Sequence, residues 1–114
     1  MQFEVNVAPV GEWTVVAVAG EVDVATAPRL REQTIDLIAR GHHRVVIDLE
    51  AVDFLDSTGL GVLVGVLRRI RTAAGELRIV CATPRLLELF AITGLDGVFD
   101  VRATVADATT GESE

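Results

Sequence analysis

Three runs rich in β-branched and aliphatic residues constrain this chain most: Trp13 to Ala19, Arg44 to Leu49 and Leu77 to Ala82. A strand covered on both faces has no solvent side to present, so it loses the polar–apolar alternation of a half-exposed strand. Stretches with apolar residues at helical spacing separate these runs. Strands alternating with helices imply parallel pairing through right-handed crossovers. The first strand differs, because Phe3, Val5 and Val7 alternate with Gln2, Glu4 and Asn6. That period of two marks a strand with one wet face, and Pro9 and Gly11 mark a short turn into the next. The predicted fold is α/β: a mostly parallel central sheet with an N-terminal antiparallel edge strand and helices packed around it. One domain over residues 1–114 accommodates the whole chain.

The helices have recognisable starts and stops. Thr26 is a candidate cap, with Pro28 in the first turn where its missing N–H is not needed. Ala27, Leu30, Leu37 and Ile38 form its apolar stripe, and Arg40-Gly41 ends it. A second helix opens near Ser57 and runs to about Ala73. At about 100° per residue, Leu60, Leu63, Val64, Val66, Leu67 and Ile70 share one face and Gly61, Gly65 and Arg68 the other. Gly75 closes that element. Thr83-Pro84 opens a third helix with Leu86, Leu87, Phe90 and Ala91 at helical spacing, ending at Gly94. Val98 to Val101 is a short last strand. Residues 103–114 are polar and acidic, and predict a marginal helix and a frayed tail.

Composition excludes several classes of partner. Half of the residues are hydrophobic but only 4% are aromatic, so the core must be aliphatic. The acidic residues number 17 against 10 basic ones, all arginine, for a net charge of −7. That balance provides no electrostatic footprint for nucleic acid or an anionic membrane. No apolar run is long enough for a membrane span and no signal peptide is visible, so a cytoplasmic location is expected. The single cysteine, Cys81, cannot form an internal disulfide and reads as a small buried hydrophobe.

The residue patterns also rule against most catalytic chemistry. A nucleophile elbow needs glycine two residues either side of the serine. Around Ser57 those positions hold Leu55 and Gly59. His42 and His43 fall in the turn before a strand, remote from Ser57 in sequence. A phosphate loop requires a lysine, and the chain has none. Asp48, Asp53 and Asp56 are spread over a strand and loop without His or Cys nearby, which argues against a metal site and, for Asp48 and Asp53, for structural roles. An aspartyl-phosphate receiver would need an acidic pair and a lysine as well. No enzyme, cofactor or metal is expected.

Two turns remain, Gly20-Glu21-Val22-Asp23 and Asp56-Ser57-Thr58-Gly59. Both follow parallel strands, so both should lie on one rim of the sheet, where α/β folds carry functional loops. Asp, Ser and Thr all favour helix N-caps. Ser57 therefore sits at or beside the positive end of a helix dipole, where a phosphate is tolerated. The two glycines on the outer face of that helix each cost up to about 1 kcal/mol relative to alanine. Either they reflect drift or tight local packing, or they leave a flat strip that another backbone can approach.

With these segments in view, the chain resembles the STAS-domain anti-sigma factor antagonist family. The resemblance rests on Gly20-Glu21-Val22-Asp23 with Thr26-Ala27, on Val45 to Leu49, on Phe54-Leu55-Asp56-Ser57-Thr58-Gly59-Leu60-Gly61, and on Thr93-Gly94-Leu95. They occur in the family's order over residues 5 to 100, and the Asp-Ser-Thr-Gly-Leu-Gly segment is the most specific. The resemblance implies a bacterial, cytoplasmic regulator of transcription that is a substrate, not an enzyme. Its unphosphorylated form would bind an anti-sigma factor with serine kinase activity and free the sigma factor. Phosphorylation of Ser57 would end binding, and a serine phosphatase would restore it. Asp23 and Asp56 would flank the serine, with Thr58 as its neighbour and not the main acceptor. The partner-binding face implied comprises Asp23, Val24, Thr26, Asp56, Ser57, Thr58, Gly59, Gly61, Val62 and Gly65. The alternative is a scaffold or sensory STAS module in a larger signalling complex, with Ser57 only a cap.

Overall fold

In a computed structural model, which describes residues 3–110, the five strands pair in the order in which they occur in the chain. β1 (Phe3–Val10) is antiparallel to β2 (Trp13–Val22). β3 (Arg44–Leu55), β4 (Glu76–Val80) and β5 (Asp100–Arg102) add in parallel. The predicted edge hairpin and parallel remainder are both present. A sequential strand order with right-handed crossovers puts each connecting helix on the same face of the sheet. Accordingly α1 (Ala27–Ala39), α2 (Ser57–Thr72) and α3 (Pro84–Ile92) share one aliphatic core with Val16, Val18, Ile47, Leu49 and Ile79.

The opposite face needs its own cover, and α4 (Val105–Thr109) supplies it. Ala108 packs there with Trp13, Val15, Val46 and Val80. A five-residue helix has little stability alone. It is held by the Thr104 hydroxyl, which accepts from the Asp107 amide, and by Arg78, whose Nη1 donates to the Ala108 carbonyl over 2.9 Å. Arg78 is only 2% exposed, lies 4.3 Å from the Trp13 ring centroid and pairs with Asp100 at 3.4 Å. The sequence reads Arg78 as an ordinary strand residue, but its charge is the strut under the last helix. The frayed tail expected beyond residue 110 and the alternation contributed by Gln2 lie outside the described residues.

Several boundaries differ from the sequence reading. Pro9 lies within β1, opposite Thr14, and the turn falls after Val10. An edge strand leaves one row of N–H groups unpaired, so proline is accommodated. Gly20, Glu21 and Val22 continue β2 instead of forming a turn, and β3 runs on to Leu55 past irregularities in its register with β2. On α3 the buried side chains are Leu86 and Phe90, whereas Leu87 and Ala91 are exposed. Val64 on α2 is only half-buried. The end of α2 also departs from expectation: the left-handed residue is Ala74, with φ 61°, and not Gly75. Gly75 is needed for space, since a Cβ there would collide with the His43 carbonyl.

Candidate functional site

β2 and β3 end side by side, with Val22 paired to Leu55, and the Asp56 amide donates to the Val22 carbonyl over 3.3 Å. Each strand therefore delivers an aspartate to the same rim, Asp23 from β2 and Asp56 from β3. The two turns that sequence places on one edge are physically joined.

The Asp23 turn is rigid by its own hydrogen bonds. Asp23 Oδ1 accepts from the Ala25 amide at 2.9 Å and the Thr26 amide at 3.1 Å. Thr26 Oγ1 accepts from the Asp23 amide and donates to the Glu21 carbonyl, at 2.9 and 2.7 Å. Thr26 thus locks the turn instead of capping α1 with its side chain, which is a correction to its expected role. Its backbone is already near-helical, at φ −106° and ψ −26°, so its hydroxyl reaches back. The Asp23 carbonyl takes the Thr26 and Ala27 amides. Val24 stands at the tip of the turn, 73% exposed.

At the second turn, Asp56 is the N-cap of α2 and its Oδ1 accepts from the Gly59 amide over 3.1 Å. Ser57 is the first residue inside the helix. Its side chain and that of Thr58 are exposed, and the Ser57 hydroxyl makes no hydrogen bond to any described residue. The cap is the aspartate, which leaves the serine hydroxyl free in solvent at the positive end of the helix.

Gly59 is a correction to the expected docking face. It is buried, and a Cβ there would lie 2.5 Å from Leu55 Cδ1 and 2.9 Å from Val22 Cγ1. It lets the start of α2 close onto the strand ends, beneath the surface that Ser57 occupies. Val62 is half-buried against the core. Gly61 and Gly65 are exposed, with nothing within 4 Å of where a Cβ would stand. They are on the outer face, as helical periodicity predicts.

The sequence reading missed an apolar groove beside this rim. It has a volume of about 290 Å³, between the end of β3 and α3, with Phe54 and Ile92 46% and 74% exposed in its wall. Arg85 closes one side by donating to the Asp53 carbonyl. The strand register carries the only signal, since Phe54 follows the exposed Asp53 in a stretch where strict alternation has lapsed.

The other singled-out residues have structural surroundings. Asp48 Oδ1 accepts from the Glu50 amide at 2.9 Å. His42 Nδ1 is 2.9 Å from the Thr14 hydroxyl, and both histidines are in the exposed turn before β3. Cys81 is buried, which pushes its thiol above the ordinary range. Among the described residues no cluster of His, Cys, Asp or Glu could hold a metal, and no helix is long and apolar enough to cross a membrane.

Comparison with known proteins agrees with this architecture. The STAS domain family profile matches residues 4–108. The anti-sigma-B factor antagonist of Bacillus subtilis (strain 168) is 42% identical over 88 residues, covering 77% of this chain and 80% of that protein. A crystal structure of an anti-sigma factor antagonist from Mycobacterium paratuberculosis superposes with a TM-score of 0.86 at 33% identity, covering 94% of this chain and 91% of that one. The Bacillus cell fate determinant SpoIIAA in its phosphorylated form shares the fold, with a TM-score of 0.71 at 24% identity over 94% of this chain and 96% of that one.

Proposed function

The chain belongs to the STAS domain family, and from that premise we propose that it is an anti-sigma factor antagonist switched by phosphorylation of Ser57. In the unphosphorylated state the rim formed by Asp23, Val24 and Asp56, with the Ser57 end and glycine face of α2, docks on an anti-sigma factor and releases its sigma factor. That anti-sigma factor is also the kinase, transferring the γ-phosphoryl group of ATP to Ser57 Oγ with loss of the hydroxyl proton. A serine phosphatase reverses the modification.

The observation that most supports this reading is the free, exposed Ser57 hydroxyl one residue past a cap already supplied by Asp56. Because the serine does not hold the helix, it can be modified without loss of a structural bond. Phosphate adds about −1.5 to −2 charge and three acceptor oxygens. The helix N-terminus tolerates that charge within the free protein. A bound partner would instead desolvate it beside the carboxylates of Asp23 and Asp56. Weakening a complex a thousandfold takes about 4 kcal/mol, and like charges forced together at an interface cost several. The switch is therefore local, with no change of fold.

Intact mass after incubation with the anti-sigma factor and ATP tests the assignment. The expected result is one added phosphoryl group on the wild type and none on Ser57→Ala. Efficient phosphorylation of Ser57→Ala at Thr58 would overturn it.

A further inference from the structure

A groove of about 410 Å³ runs between α1 and α2, lined by Arg31, Ile35, Gly65, Arg68, Arg69 and Thr72. Its wall has three arginines and no carboxylate, on a chain with a net charge of −7. Among the described residues Arg40, Arg44, Arg78 and Arg102 each pair with a carboxylate; Arg29, Arg31, Arg68, Arg69, Arg71 and Arg85 do not, and three of these six line the one groove. The sign of the surface is locally inverted here. We propose that this groove receives an acidic segment of the anti-sigma factor, a claim that rests on the docking role given to α2 above.

Position supports that occupant. Ser57, Gly61, Gly65 and Arg68–Arg69 recur at intervals of three and four residues, so they form one stripe along α2. A partner that approaches the two glycines from the Ser57 end meets the arginines next. Eleven residues of helix separate Ser57 from Arg68 by about 16 Å. That exceeds the screening length of about 8–10 Å at physiological salt. The arginines therefore do not neutralise a phosphate on Ser57, and the stripe can attract at one end while it switches at the other. A second copy of this chain or a nucleic acid is a poorer occupant, because both meet the whole molecule's negative charge at longer range.

Calorimetric titration of the anti-sigma factor at 50 and 200 mM salt, with wild type and the triple variant Arg31→Glu, Arg68→Glu, Arg69→Glu, tests the proposal. The wild type should lose affinity as salt rises. The triple variant should bind at least tenfold more weakly at 50 mM and show a flatter salt dependence, while Arg40→Glu behaves as wild type. Equal affinity and slope for wild type and the triple variant would overturn the proposal and leave the Ser57 switch standing. If the wild type does not bind the anti-sigma factor at all, the functional reading fails instead. The groove is then judged by NMR titration with a hexaglutamate peptide. Amide shifts confined to Gly65, Arg68, Arg69 and Arg31, and lost in the triple variant, support an acidic occupant; absent or scattered shifts refute it. Concentration-dependent self-association of the wild type, abolished in the triple variant, would assign the groove to a second copy and also refute it.

Discussion

The amide of Asp56 donates to the carbonyl of Val22 over 3.3 Å, joining the end of β3 to the end of β2. One bond thereby fixes the spacing of the two acidic turns and places the free Ser57 hydroxyl beside them. In the proposed function the same two aspartates are structural and electrostatic at once. Asp56 caps a helix and Asp23 builds a turn, and both carry the negative charge that phosphate would meet.

Those two roles separate by substitution. Asp56→Ala removes the bond to the Gly59 amide and should cost about 1 kcal/mol of stability, as lost N-caps do. Asp56→Asn keeps an accepting oxygen and should stay within a few tenths of a kcal/mol of wild type. Chemical denaturation checks both. Once phosphorylated on Ser57, the double variant Asp23→Asn, Asp56→Asn should retain at least tenfold more affinity for the anti-sigma factor than phosphorylated wild type.

The glycines of α2 should split into opposite classes. Gly59→Ala forces a Cβ against Leu55 and Val22, and such overpacking costs about 1–3 kcal/mol. Gly61→Ala and Gly65→Ala meet open space and gain helix propensity, so each should stabilise the fold by about 0.5–1 kcal/mol. The same two changes should weaken binding to the anti-sigma factor, because the added methyl groups hold a partner backbone away. Thermal denaturation and calorimetry together test the pair.

At the other end of α2 the order of residues is reversed from the expected one. Ala74→Gly should stabilise the protein by up to about 1 kcal/mol, because the left-handed backbone at Ala74 strains any residue with a Cβ. Gly75→Ala should destabilise it by driving a methyl group into the His43 carbonyl. Urea midpoints of the two variants should therefore move in opposite directions.

Much of this was legible in the chain because pattern and burial coincide. Val16, Ile47 and Ile79 are covered on their strands, and their neighbours are mostly covered too, so continuous apolar runs gave a parallel sheet. The Asp-Ser-Thr-Gly turn was legible because each residue there has a local backbone preference. What was hidden depends on distant partners. Arg78 reads as polar until Trp13 and Ala108 close over it. Gly59 reads like Gly61, and only the approach of Val22 makes it internal. Thr26 reads as a cap, and only the Glu21 carbonyl shows it locking a turn.

Cys81 provides a pH test. Burial raises its thiol pKa in the folded state above the ordinary 9.0. Below that value both states carry the proton and the group has no effect on stability. Above it the unfolded chain gives up the proton first, so stability falls as pH rises toward the folded value. Alkylation by iodoacetamide near pH 8 should be slow in buffer and fast in urea. Cys81→Ala should flatten the alkaline loss of stability.

The central claim is that one phosphate on Ser57 abolishes docking without altering the fold. Calorimetric titration of the anti-sigma factor with unmodified and Ser57-phosphorylated protein tests it most directly. The account predicts a loss of about a thousandfold in affinity, equivalent to about 4 kcal/mol. Equal affinity for the two forms would contradict it.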